Sequence, residues 1–430
     1  MERAKNRLGL IFFPAFDWSI SPFHPEREER LLYTRDQVVE EGLLDIDGIN
    51  EYNPIMADNN SIQQVHVCVP DVKTRITKSH KISAGGAIKA GKSVMEGEVD
   101  KAFALVRPPG HHARRIVHGA RGFCTINIEA IMIEYLRNEY GVQKIAVVDT
   151  DCHHGDGTQD IYWNDPNVLF ISFHQDGRTL YPGSGFIKEK GGPAARGYNL
   201  NLPFPPGTSD EGLFHALDNL VLPVLDEFDP DIIINSAGQD NHYSDPLTNM
   251  NISAQGYAEL NNRLDPDLAV LEGGYAIEKA LPYVNTGIIL AMAGLDYSRV
   301  EEPDYNPHKL KENSSTRKTI RDICNKVKSI WDNREIYSVK NKTTERSVFY
   351  DTEGIMEEQK EEFYNCVSCP GFSLIDSEAN NGNKLSALLL DRNICNECRN
   401  KAYDIFESLS KEDSSLLYLQ DPQKNNYVKK

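Results

Sequence analysis

Short apolar runs alternate with amphipathic stretches through the first three hundred or so residues of the chain. Ala102–Val106, Lys144–Val148, Val168–Phe173, Asp231–Ser236 and Leu268–Leu271 are rich in Val, Ile, Leu and Phe and apolar on both faces. Runs of this kind predict strands of a parallel sheet covered by helices on both sides. Leu8–Phe16 reads as a first strand. Between the runs, Ser83–Glu96, Ile128–Glu139, Glu211–Phe228 and Ala254–Asn262 carry helical patterns, the third with Ser209 or Asp210 as its cap. Asn285–Tyr297 and Arg317–Trp331 predict two further helices. The alternation argues an α/β fold, a single mainly parallel sheet with helices on both faces. Residues 333–362 are polar and charge-rich, with one short strand expected at Ser347–Tyr350. The expected organisation is therefore a domain over 1–332, a linker over 333–362 and a small C-terminal module over 363–430.

Composition narrows the class. The chain has 430 residues, 40% hydrophobic and 26% charged, as in an ordinary globular protein rather than a disordered one. No apolar run reaches ~18 residues, so no membrane span is expected. Leu8–Phe16 is short, lacks a small-residue cleavage site and leads into Asp17, unlike a signal peptide. A cytoplasmic location is the expectation. The 46 basic and 64 acidic side chains give a net charge of −18. That balance disfavours nucleic acid as a partner and suits a cationic one. Residues 1–300 hold 41 acidic and 26 basic side chains, whereas 301–430 hold 23 and 20.

The eight cysteines fall into two groups. Cys68, Cys124, Cys152 and Cys324 are scattered in apolar surroundings, as buried free thiols are. Cys366-x-x-Cys369 and Cys395-x-x-Cys398 are paired, separated by residues 370–394. In a reducing compartment such pairs read as metal ligands rather than disulfides. Four thiolates close a tetrahedral shell, so the expectation is a structural zinc in a ribbon-like module. DNA binding by that module is not expected, because residues 351–400 hold ten acidic and four basic side chains.

Chemistry concentrates directly after the apolar runs, where open α/β sheets place their active sites. Arg107-Pro-Pro-Gly-His111-His112 follows the first, and Asp149-Thr-Asp151-Cys-His153-His-Gly-Asp156-Gly the second. Ser236-Ala-Gly-Gln-Asp240 and Glu272-Gly-Gly-Tyr275 follow two others. In an extended segment Asp151 and His153 point the same way, so both can reach one ion. Asp240 is the natural third ligand. Three O/N ligands with one position open make the layout of a catalytic zinc, which acidifies water and polarises a carbonyl. The adjacent His111 and His112 need separate partners, and Asp149 and Asp156 can each accept a ring N–H. One histidine then serves as general base and acid. Tyr275 can present its hydroxyl to a developing oxyanion.

These residues resemble the zinc-dependent histone deacetylase family, within the arginase/deacetylase superfamily. The resemblance rests on His24-Pro-Glu-Arg-Glu-Glu-Arg-Leu31, Arg107–Ala113, Gly122-Phe123-Cys124 and Asp149–Thr158. It continues through Tyr181-Pro-Gly-Ser-Gly185, Ser236–Asp240, Asp245-Pro-Leu247 and Leu271–Tyr275, in the family's order. The chain is similar in this respect to prokaryotic class II-like members, with the C-terminal cysteine module added. The resemblance implies an amidohydrolase that removes an acyl group, most often acetyl, from a lysine or related amine. It implies zinc on Asp151, His153 and Asp240, with His111 paired to Asp149 and His112 to Asp156. His112 would be the base and acid, and Tyr275 would polarise the carbonyl. Phe123 and Tyr181 would wall a narrow channel, with Gly122 and Gly273 allowing close approach. It also implies structural potassium at Asp149 and carbonyls near Asp151, His153, Ser172 and Phe173.

Departures bear on specificity. Gln239 stands where the family usually has phenylalanine, and Ala276 replaces a common asparagine after Tyr275. Thr125-Ile126-Asn127 stands where members often have aromatics and paired asparagines. Leu247 occupies a position where polyamine-selective relatives carry glutamate. An acetylpolyamine or other small-molecule amidohydrolase is the alternative, and a catalytically silent acyl-amine binding protein is the alternative of another class. A dimanganese ureohydrolase is disfavoured, because Gly155 and His242 stand where bridging aspartates are needed. The Asp176–Leu180 loop and the C-terminal module are candidate contacts for a homo-oligomer.

Overall fold

Strands form where the sequence is apolar on both faces, and they assemble into one sheet. The computed structural model describes residues 3–21, 23–336, 342–409 and 416–430. The strands are β1 (Arg3–Phe13), β2 (Asp47–Tyr52), β3 (Lys101–Val106), β4 (Ile145–Asp149), β5 (Val168–Gln175), β6 (Asn199–Phe204), β7 (Ile232–Ala237) and β8 (Leu268–Leu271). Their order is β2-β1-β3-β8-β7-β4-β5-β6, and every neighbouring pair is parallel. Alternate residues of one strand feed two cores. In β3, Phe103 and Leu105 join one apolar cluster while Ala102, Ala104 and Val106 join the other.

Helices cover both faces. On one side lie α1 (Glu29–Glu40), through Leu31 and Val38, and α4 (Ala254–Leu264), through Tyr257 and Leu260. On the same side are α5 (Leu281–Met292) and α6 (Ser314–Asp332), the latter burying Ile320, Val327 and Trp331. The helical stretch from Asp210 to Phe228 also packs here, with a π-helical turn at Leu217–Val221. On the other side lie α2 (Lys78–Met95) and α3 (Ile128–Tyr140). Asn127 caps α3 by accepting the Ala130 N–H at 2.8 Å, and Gly141 ends it at φ +71°.

The stretch expected to be a linker is largely sheet. β9 (Lys342–Tyr350) and β10 (Ile355–Tyr364) pair antiparallel over nine residue pairs. They continue through β11 (Phe372–Ala379), β12 (Lys384–Leu390), β13 (Leu416–Asp421) and β14 (Asn426–Lys429) into a six-stranded sheet in sequential order. All its pairs are antiparallel except β12 with β13, which α7 (Asn396–Ser408) separates in the chain. The C-terminal unit thus starts before residue 363. The reason is an inverted pattern: along β10 the buried positions are Ile355, Glu357, Gln359, Glu361 and Phe363. Three of five inward side chains are polar, so the two-residue period shows no apolar face. Glu357 accepts from Tyr350 Oη at 2.7 Å and Gln359 Nε2 at 2.8 Å, and Arg346 lies 3.7 Å from Glu361. Residues 337–341 of the expected linker lie outside the described residues.

The second sheet packs on the first unit. Val67, Val69 and Ile116 form one apolar cluster with Ile375, Leu385, Ala387, Leu389 and Tyr418. Arg392 pairs with Glu134 at 2.6 Å, and Arg346 with Asp160 at 2.8 Å. Among the described residues no helix is long and apolar enough to cross a membrane.

Candidate active site

The segments after β3, β4, β7 and β8 converge at the carboxyl edge of the main sheet, as the parallel order requires. Asp149 is the last residue of β4, and the chain then leaves the strand through Asp151 and bends at Cys152 and His153. Backbone N–H groups hold both carboxylates. Asp151 accepts from His153 N at 2.8 Å and from Gly273 N at 2.7 Å, and Asp240 accepts from Cys152 N at 2.7 Å. His153 Nδ1 lies 2.7 Å from Asp240 Oδ2 and 3.3 Å from Asp151 Oδ1. One donor atom from each of the three lies within 4.8 Å of the others. Two buried carboxylates and one imidazole, oriented by backbone donors, fit a metal ion with coordination positions to spare. The close approach needs glycine: a Cβ on Gly273 would stand 2.4 Å from Asp240 Oδ2 and 2.6 Å from Asp151 Oδ2.

Two histidine–carboxylate pairs flank this set. His111 Nδ1 lies 3.1 Å from Asp149 Oδ2, and His112 Nδ1 2.9 Å from Asp156 Oδ1. The two rings are 4.1 Å apart, yet their electrostatics diverge. Burial opposes charge on His111, but Asp151 and Asp149 outweigh it and hold its pKa well above the ordinary value. Burial first, then the His111 charge, push His112 down to about 3 despite Asp156. Adjacent residues of one loop are therefore pushed in opposite directions.

Tyr275 is buried, its pKa raised by burial and only partly offset by Arg30. Its N–H donates to Asp245 at 2.7 Å, and the other Asp245 oxygen takes the Leu247 N–H at 2.9 Å. Leu247 itself is largely exposed. Phe123, at φ +71°, sets its ring edge-on to Tyr275 at 5.6 Å, and Tyr181 stands 5.2 Å from His112. Gly122, at φ +53°, lies where a Cβ would sit 2.3 Å from His112 Cδ2. Asp151, His153 and Asp240 are brought together, with His112 6.1 Å from the His153 ring and Phe123, Tyr181 and Tyr275 next to these. Gln239 turns away from the ligands and donates to Asn285, which donates to Thr34.

Other residues gain roles that the sequence reading did not give them. Arg30 is fully buried and donates to the carbonyls of Glu272 and Gly274, with its guanidinium 5.0 Å from the Tyr275 ring. Glu26 pairs with Arg30 at 3.0 Å and with Arg107 at 2.7 Å. Burial works against the Glu26 charge, but both arginines hold its pKa low. The four-residue spacing of Glu26 and Arg30, across the start of α1, was the available signal. Glu272 accepts the N–H groups of Gly110 and His111 at 2.7 and 3.0 Å. Arg121 pairs with the outer oxygen of Asp156.

The four paired cysteines also converge, with one sulfur from each within 4.8 Å of the others. Cys366 and Cys369 lie in the β10–β11 connection, and Cys395 caps α7. All four are free thiols, not disulfides.

A model of the histone deacetylase domain matches residues 47–292. The chain belongs to the histone deacetylase family. A probable deacetylase of Archaeoglobus fulgidus is 45% identical over 324 residues, which cover 69% of this chain and 89% of that one. An acetylpolyamine amidohydrolase of Burkholderia pseudomallei is 40% identical over 201 residues, 46% of this chain and 57% of that protein. The crystal structure of the HDA15 HD domain aligns with a TM-score of 0.67 and 26% identity, covering 76% of this chain and 96% of that domain. As a histone deacetylase family member the chain belongs to a metal-dependent family, and the Asp151-His153-Asp240 set lies inside the matched region.

Proposed function

We propose that the protein is a zinc-dependent deacetylase hydrolysing the amide of an acylated lysine or a related acyl-amine. The observation that carries this reading is the convergence of Asp151, His153 and Asp240 beside two histidine–carboxylate pairs and a buried tyrosine. An N/O donor set of this kind with open positions suits zinc. Bound there, zinc supplies Lewis acidity toward an acyl carbonyl and water. The chain's own groups do the rest. His112, neutral and aimed by Asp156 through Nδ1, accepts a proton at Nε2 and returns it to the departing amine. His111, hydrogen-bonded to Asp149 through Nδ1, lies beside His112 and completes the polar wall of the site. Tyr275 donates its hydroxyl to the carbonyl oxygen as charge develops there. Phe123 and Tyr181 hold the aliphatic stem, and Leu247 leaves the edge without a carboxylate for a second ammonium. Potassium at Asp149 and nearby carbonyls belongs to the same reading, with a second, structural zinc on Cys366, Cys369, Cys395 and Cys398.

A panel of acyl-lysine peptides and acyl-polyamines, assayed with and without chelator, tests this. The expected outcome is chelator-sensitive acetate release from acetyl-lysine substrates, with acetylpolyamines turned over more slowly. No release from any member would sink the proposal. Tyr275→Phe is expected to lower kcat by about 10²–10³-fold, the scale of losing one oxyanion donor.

A further inference from the structure

The β9–β10 turn of the C-terminal sheet reaches the loop that carries Gly122 and Phe123. Asp351 Oδ2 accepts the Gly122 N–H at 3.0 Å, and Glu353 Oε2 accepts the Ala120 N–H at 2.8 Å. Tyr350 Oη shares its proton between Glu357 and the Ile116 carbonyl, 2.9 Å away. A Cβ on Gly119 would stand 2.4 Å from Glu353 Oε2 and 3.0 Å from Tyr350 Cβ, so turn and loop are in close contact. The turn therefore meets this loop at three backbone groups between Ile116 and Gly122. The loop in turn bears on the catalytic groups. Arg121 pairs with Asp156, which aims His112, and Phe123 packs edge-on to Tyr275. Burial raises the pKa of Tyr181, and Asp351 adds to that rise by its charge and a hydrogen bond.

We propose that Asp351 is a positioning residue for the active site: by accepting the Gly122 N–H it fixes Gly122 and Phe123 against His112 and Tyr275, which makes the C-terminal sheet a working part of the catalytic unit. This rests on the deacetylase reading. The physical reason is positional. Gly122 and Phe123 are the two left-handed central residues of a tight hairpin that Arg121 and Cys124 close with reciprocal backbone hydrogen bonds at 2.8 and 2.9 Å. That hairpin holds its own conformation; what Asp351 fixes, from a segment about 230 residues further along the chain, is the hairpin's placement, through the remaining Gly122 N–H. Phe123 and Tyr181 touch the substrate stem in ground and transition states alike, so loosening them acts mainly on KM.

The test compares full-length wild type, Asp351→Ala, Asp351→Asn and, as a control on the same sheet, Glu358→Gln. Amide hydrogen exchange at Gly122 and kinetics on an acetyl-lysine peptide are both read. Asp351→Ala is expected to speed Gly122 exchange about tenfold or more and to lower kcat/KM about tenfold, mostly through KM. Asp351→Asn keeps an oxygen for the N–H and should recover most of both, while Glu358→Gln stays at wild type. Asp351→Ala with wild-type kcat/KM would overturn the proposal, as would a loss in kcat alone that asparagine does not rescue. A wild-type protein without turnover would overturn the deacetylase reading instead, and Gly122 exchange would then decide the Asp351 assignment by itself.

Discussion

Arg30 orders the turn that carries Tyr275. Its guanidinium is enclosed, bonded to two carbonyls of that turn and paired with Glu26. Arg30→Met would leave two carbonyls short of a donor and Glu26 with Arg107 alone. It is expected to cost roughly 3 kcal/mol in denaturant unfolding, the scale of breaking a buried pair. It should also lower kcat about tenfold or more while the Asp151-His153-Asp240 metal is retained, which elemental analysis beside kinetics would check. At this scale the ligands and the histidine pairs were legible because four segments rich in His, Asp and Tyr each follow directly on a buried apolar run. Arg30 and Glu272 were not, because the backbone groups they hold lie 161 to 244 residues away.

His66 joins elements rather than reacting groups. Its Nδ1 donates to the Arg114 carbonyl at 2.8 Å, and its Nε2 accepts the N–H of Asn127, the cap of α3, at 2.9 Å. Only the neutral ring can do both, and burial holds its pKa down at about 4. The unfolded chain, near 6.5, binds the proton more readily. Stability from His66 is therefore complete above pH 6.5 and lost as pH falls toward 4, roughly 3 kcal/mol in all. Burial also pushes His80 and His174 to about 4, with the same sign. Urea melts between pH 7 and 4.5 should show stability falling with acid, with a shallower slope in His66→Gln. A slope equal to wild type would contradict the assignment. The strands β3, β4, β5, β7 and β8 were readable because burial on both faces leaves an unbroken apolar run. β2 was missed because its pattern is mostly exposed, and β10 because its inward positions hold Glu357, Gln359 and Glu361.

For the molecule as a whole, the second sheet is joined to the first unit through an apolar cluster, ion pairs and the Asp351 turn. The fold class followed from alternation, but the extent of the C-terminal unit did not, since its first two strands read as polar linker apart from Ser347–Tyr350. Elemental analysis is expected to find about two zinc per chain. Cys395→Ser should reduce this to about one and lower the unfolding temperature by about 5 °C or more, because the cysteines tie the β10–β11 connection to α7. Two zinc retained in that variant would refute the four-thiolate site. The packing of Val67, Val69 and Ile116 under Tyr418 has a consequence in time. A ribosome making roughly 5–20 residues per second finishes the eighth main-sheet strand well before it releases β13. For that interval the nascent chain carries its ligands and histidines but displays an uncovered apolar patch. The window for chaperone capture or mispairing therefore opens at a fixed stage of synthesis and closes when the last strands dock.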